Sequence, residues 1–98
     1  MDELDPVIHQ PARLQIMSAL CQLKPCDRVD FTFLKENLRL TDGNLGAHLA
    51  TLEGKGYIGV EKAFVARRPK TFVQVTPEGR QAFASHVAAL QSILSAKP

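Results

Sequence analysis

The feature that most constrains this chain is a change of hydrophobic period across a pair of glycines. Leu45, Leu49 and Leu52 recur at helical spacing, Gly54 and Gly56 follow, and Tyr57 to Phe64 then reads as a strand rich in β-branched and aromatic residues. Thr71 to Val75 has the same character and is its expected partner. Between the two runs, Ala66-Arg67-Arg68-Pro69-Lys70 reads as the tip of a hairpin. One of the two glycines is expected to end the helix in the left-handed conformation that carries no steric penalty without a Cβ.

Helices are expected on both sides. The first begins near Pro11, which fits a first turn, where its missing N–H has no intrahelical role. Leu14, Met17, Leu20 and Cys21 form its apolar stripe, and Lys24-Pro25-Cys26-Asp27 breaks it. Leu4, Val7 and Ile8 make a short apolar lead-in that could be helical. Asp30 caps a second short helix with Phe31, Leu34 and Leu38 inward, and Val29 and its neighbours are placed to pair briefly with a later strand. Thr41 caps the third helix. "TPEGRQAF" announces the last: Thr76 as N-cap, Pro77 at the first helical position, Glu78 beside the positive end of the dipole. Its stripe is Phe83, Val87, Leu90 and Leu94, ending near Ser95.

The resulting expectation is an α+β, mostly helical winged helix-turn-helix: three helices, a two- or three-stranded β-wing and a C-terminal helix. It forms a single domain over residues 1–98, with a core at about 11–76 and the segments 1–10 and 77–95 available for dimerisation.

Composition narrows the function. The chain has 98 residues, 45% of them apolar, and no apolar run approaches the ~20 residues that span a bilayer. The acidic start, Met1-Asp2-Glu3-Leu4-Asp5, is wrong for a secretory leader, so a cytoplasmic protein is expected. Cys21 and Cys26 suit neither a disulfide framework nor a zinc site, and His9, His48 and His86 have no ligand spacing. No catalytic arrangement or phosphate loop is apparent, and neither enzymatic activity nor a cofactor is expected.

The net charge of +2 is unevenly spread. Residues 1–10 carry Asp2, Glu3 and Asp5 with no Lys or Arg, whereas residues 55–70 carry Lys55, Lys62, Arg67, Arg68 and Lys70 against Glu61 alone. Such a basic stretch suits a polyanion. On the third helix, the side opposite the leucines presents Thr41, Asp42, Gly43, Asn44, Ala47, His48 and Thr51. Interior glycines cost about 1 kcal/mol each relative to alanine, and Gly43 and Gly46 admit two readings: backbone approach to a DNA groove, or a tolerated first-turn residue at Gly43 with close packing of Gly46 against the second helix. Asn44 suits bidentate bonding to adenine. Arg67, Arg68 and Lys70, on a tip stiffened by Pro69, suit phosphate or minor-groove contact. Double-stranded DNA is the expected partner. Leu4, Val7, Ile8, Phe83, Val87, Leu90 and Leu94 are candidates for a homodimer contact, the alternative being that all of them cover this chain's own core.

From Leu34 to about Ala84, through "DFTFLKENLRLTDGNLGAHLATLEGKGYI" and "RRPKTFVQVTPEGRQAF", with the earlier "HQPARLQIMSAL", the chain resembles short stand-alone winged-helix transcriptional regulators of the MarR/ArsR type. The resemblance implies sequence-specific duplex binding as a homodimer and control of transcription. It places the recognition helix at about Asp42 to Glu53 and makes Arg67 and Arg68 the wing arginines. It leaves a small-molecule effector unassigned. "DGNLGAHLATLE" lacks the cysteines of metal sensors, and little sequence lies beyond the core to enclose a ligand. A winged-helix protein–protein adaptor is the alternative, for which an apolar patch on the third helix would be expected.

Overall fold

Each helix starts at a side chain that satisfies one of its free N–H groups. The Gln10 side-chain oxygen accepts from Arg13 N–H at 2.8 Å, Asp30 from Phe33 at 2.8 Å, Thr41 from Asn44 at 3.1 Å and Thr76 from Gly79 at 2.9 Å. In the computed structural model, which describes residues 3–96, these caps open α1 (Pro11–Cys21), α2 (Phe31–Leu38), α3 (Asp42–Gly54) and α4 (Pro77–Ser95). α3 ends in a Schellman motif. Gly56, at φ +78°, donates its N–H to Glu53 O at 2.9 Å, and Tyr57 N–H reaches Leu52 O at 3.1 Å.

Among the described residues three strands complete the fold: β1 (Val29–Asp30), β2 (Ile58–Val65) and β3 (Arg68–Val75), antiparallel in the order β1-β3-β2. The hairpin is tighter than the sequence suggests. Its turn is Ala66-Arg67 alone, and pairing runs out through Val65 with Arg68, Phe64 with Pro69 and Ala63 with Lys70. Arg68, Pro69 and Lys70 therefore belong to β3 and not to a loop. Both turn residues take positive φ, 52° and 65°, as a twist-matched two-residue hairpin turn requires. The sequence hides this turn because neither residue is the glycine or asparagine that usually marks it. Pro69 fits because a two-residue hairpin closes on a hydrogen-bonded pair, so the next pair, Phe64 with Pro69, exchanges no ladder bonds. β1 pairs only with Phe72 and Val73, so nothing on that side needs the missing N–H either.

One core joins all these elements: Ile16, Met17 and Leu20 of α1, Leu34 of α2, Leu45, Leu49 and Leu52 of α3, and Ile58, Val73 and Val75 of the hairpin. Ile16 was not on the expected stripe of α1, while Leu14 and Cys21 lie half-buried at its margin. Ile8 is fully buried in the same core, so it holds the lead-in to its own chain and has no surface for a second copy. The lead-in makes a turn at residues 6–8, not a helix. Among the described residues no helix is long and apolar enough to cross a membrane.

Two polar anchors fix α4. Arg80 donates to Cys21 O at 3.1 Å and Leu23 O at 2.7 Å, closing the C-terminal end of α1 with a cation. At the other anchor the Asp5 carboxylate accepts from Val7 and Ile8 N–H (2.8 and 3.3 Å) and from the Tyr57 hydroxyl (2.5 Å), while Asp5 N–H donates to His86 Nδ1 at 3.0 Å. Because Nδ1 accepts, the ring proton sits on Nε2, which is buried without a partner among the described residues. Burial, helped by the His9 ring 5.3 Å away and opposed by Asp5, lowers the His86 pKa. Burial works against the Asp5 carboxylate, but the Tyr57 and backbone hydrogen bonds outweigh it and lower its pKa. The same bond, with burial, pushes Tyr57 up to about 12.

Gly79, in the first turn of α4, lies against Tyr57 in the link between α3 and β2. A Cβ there would stand 2.0 Å from Tyr57 O, the carbonyl that accepts Thr76 N–H at 3.0 Å. Only glycine fits that approach.

Candidate nucleic-acid interface

With its three leucines inward, α3 turns Thr41, Asp42, Gly43, Asn44, Ala47 and Thr51 to solvent. Their engagements differ. Thr41 is spent in part on the cap, and Thr51 donates to Ala47 O at 3.2 Å. Asp42 pairs with Lys35 of α2 at 3.0 Å, which ties the two helices together and offsets an acidic charge on this face. Asn44 is exposed. A Cβ added at Gly43 or Gly46 would meet nothing within 4 Å. The close-packing reading of Gly46 is thereby overturned: α2 does not come near enough to need the glycine.

His48 is half-buried, and its Nδ1 lies 3.2 Å from Arg13 Nη1. Arginine has no acceptor, so Nδ1 takes the bond and the ring carries its proton on Nε2. Arg13 is itself held by a 2.5 Å bond from Nε to Val7 O. It is a cation beside α3 that helical spacing alone marked only as a residue off the apolar stripe.

The hairpin leaves the body directly after α3, and the two share one core. Strand alternation sorts its side chains. Ile58 and Val60, with Val73 and Val75, face the core, and further out the same face carries Lys62, Phe64, Pro69 and Thr71. The opposite face carries Glu61, Val65, Arg68, Lys70 and Phe72. There the Arg28 guanidinium lies 4.1 Å over the Phe72 ring and 3.3 Å from Glu61, and Lys70 lies 3.8 Å from Asp30. The three expected wing cations are thus not one cluster. Arg67 occupies the turn, Arg68 and Lys70 the outer face, and Lys70 alone is engaged with the body. Arg67 and Arg68 are exposed and have no ion-pair partner among the described residues.

Phe64 is the residue the sequence reading missed. It is 79% exposed. Lys62, two positions earlier on the same face, was the available signal: a lysine there shows that the face has already left the core. Of the other candidates for contact with a second copy, Leu4, Val7, Phe83, Val87 and Leu90 are half-buried, and Leu94 is 81% exposed beside Ile93 at 56%.

Known proteins resemble this chain in sequence or in fold. The chain is 37% identical over 81 residues to an uncharacterized protein of Methanocaldococcus jannaschii, covering 83% of this chain and 85% of that one. The structure of a transcriptional regulator homologue from Pyrococcus horikoshii OT3 superposes with a TM-score of 0.81 at 30% identity, covering 90% of this chain and 84% of the other. A MarR-family regulator structure from Porphyromonas gingivalis W83 shares the fold at a TM-score of 0.69 and 17% identity, over 99% and 97% of the two chains. Residues 12–94 match the model of the winged helix DNA-binding domain, so from the end of the lead-in to the last turn of α4 the chain belongs to that family.

Proposed function

We propose that the chain is a transcriptional regulator that binds specific duplex DNA as a homodimer, with α3 in the major groove and the wing on phosphate and the minor groove. The observation that carries this reading is the open space over Gly43 and Gly46. Neither position needs a glycine to make room inside the molecule, yet on an outward face the missing side chains let the backbone approach a groove wall. The face they share with Asn44 is small and polar, which suits base edges better than an apolar protein partner. Arg13 presents His48 with Nε2–H as a donor, and the exposed Arg67 and Arg68 supply cations further along the same duplex.

Two copies would read half-sites about one helical turn, ~34 Å, apart. The contact proposed for them is the outer part of α4, where Leu94 and Ile93 stand exposed beside half-buried Leu90 and Val87, with Leu4 and Val7 contributing. Selection of bound duplexes from a random pool tests the proposal. A palindromic consensus whose affinity falls steeply with salt is expected. Absence of any enriched duplex would sink the reading and favour an adaptor role.

A further inference from the structure

Phe64 is out of place for a residue whose role is folding. It lies beyond the last core residue of its face, 79% of its surface is in water, and Val65 beside it is 41% exposed. Its cross-strand partner is Pro69, also exposed, and the turn that follows carries Arg67 with Arg68 next in line. The hairpin end is therefore an apolar pair, a ring and a pyrrolidine, with Arg67 in the adjoining turn and Arg68 on the opposite face, neither with an ion-pair partner among the described residues. A surface tip built only for solubility has no reason to keep a phenylalanine there. A tip that enters a minor groove has one: arginines follow the negative potential of the groove, and an apolar side chain beside them can wedge between base pairs.

We infer that Phe64, backed by Pro69, is a wedge that the wing inserts into the minor groove, partly unstacking one base step and kinking the duplex. The inference rests on the DNA-binding reading above and adds a specificity determinant to it. Pyrimidine–purine steps unstack most readily, so the wing selects such a step through its deformability, with no hydrogen bond to the bases. The occupant is duplex DNA and not an apolar protein groove, because the charges nearest the ring, Lys62 on its own face and Arg67 in the turn, are both positive and match a polyanion. Phe64 stands on the face that lower down closes the core shared with α3, whereas Lys70 stands on the other face, tied to Asp30. The wedge and the paired lysine are thereby separated by the pleat.

The test uses the full chain and a duplex selected from the random pool, with 2-aminopurine placed in turn at each step of the wing footprint. The wild type is expected to raise the fluorescence of one step and to bend the duplex in a gel-phasing assay. Phe64→Ala is expected to abolish both and to weaken binding about tenfold, the loss expected for an aromatic ring that no longer leaves water. Phe64→Leu is expected to keep part of each. Since the ring is exposed, the thermal midpoint of both variants should equal that of the wild type. Equal affinity, bend and fluorescence for wild type and Phe64→Ala would overturn the wedge while leaving DNA binding intact. So would a Phe64→Ala variant whose only change is weaker self-association in sedimentation, which would make the ring a contact between copies. Failure of the wild type to bind any duplex would remove both readings together.

Discussion

Glycine is used in two opposite ways at the starts of α3 and α4. Gly79 sits under the carbonyl of Tyr57, where any side chain collides with backbone 2.0 Å away. Gly43 and Gly46 sit on a helix face with nothing above them. The first is dictated by the interior of the molecule, and removing it breaks the join between α3, β2 and α4. At the other two an added Cβ would meet nothing inside, and the reason proposed for them is a duplex partner. Surroundings, not residue type, separate a folding constraint from a binding one.

The largest effect should come from the interior side. Gly79→Ala must push apart two backbone segments that share the Tyr57 carbonyl, and a loss of about 3 kcal/mol or more is expected. A denaturant midpoint showing less than 1 kcal/mol would mean that α4 can shift freely and that the contrast is weaker than drawn. Next comes the exterior side at its most charged. Arg67→Ala with Arg68→Ala should leave the thermal midpoint unchanged but flatten the slope of log affinity against log salt by about two, one for each phosphate contact. An unchanged slope would exclude both arginines from the interface.

Gly43→Ala and Gly46→Ala are smaller changes and the most discriminating ones. Each should stabilise the fold by up to about 1 kcal/mol, because alanine favours a helix and finds room. Each should also weaken duplex binding by about tenfold if the backbone lies against the groove. Stabilisation with unchanged affinity would return both glycines to chance. Smallest is an acid effect at the second anchor of α4. The folded His86 pKa lies below its ordinary 6.5, so its contribution is complete above that value and is lost as pH falls, because the unfolded chain takes up the proton first. Asp5, lowered from 3.8, contributes a second loss at still lower pH. A ring titration of His86 by NMR with its midpoint above 6.5 would contradict this ordering.

Most of the fold was legible because its signals are local. Thr41 and Thr76 cap the helices they were expected to cap, Pro11 and Pro77 open theirs, and the leucine stripe of α3 points inward throughout. What escaped depends on distant neighbours. Gly79 is explained by Tyr57, twenty-two residues earlier, and the place of His86 depends on the lead-in, which delivers Asp5 N–H to its ring. Ile8 read as an adhesive surface residue because its burial depends on how residues 6–8 turn. At the candidate interface, the exposed residues of α3 followed from helical spacing. The separation of Arg67, Arg68 and Lys70 did not, because it depends on a turn with no signature.

That turn carries a consequence for anyone redesigning the wing. Asn-Gly in place of Ala66-Arg67 would relax the bend, since glycine takes positive φ freely where arginine does so reluctantly. It would also erase the cation at the hairpin's extremity. At position 67, then, the residue that best relaxes the bend and the residue that places a cation there are different, and this chain carries the cation.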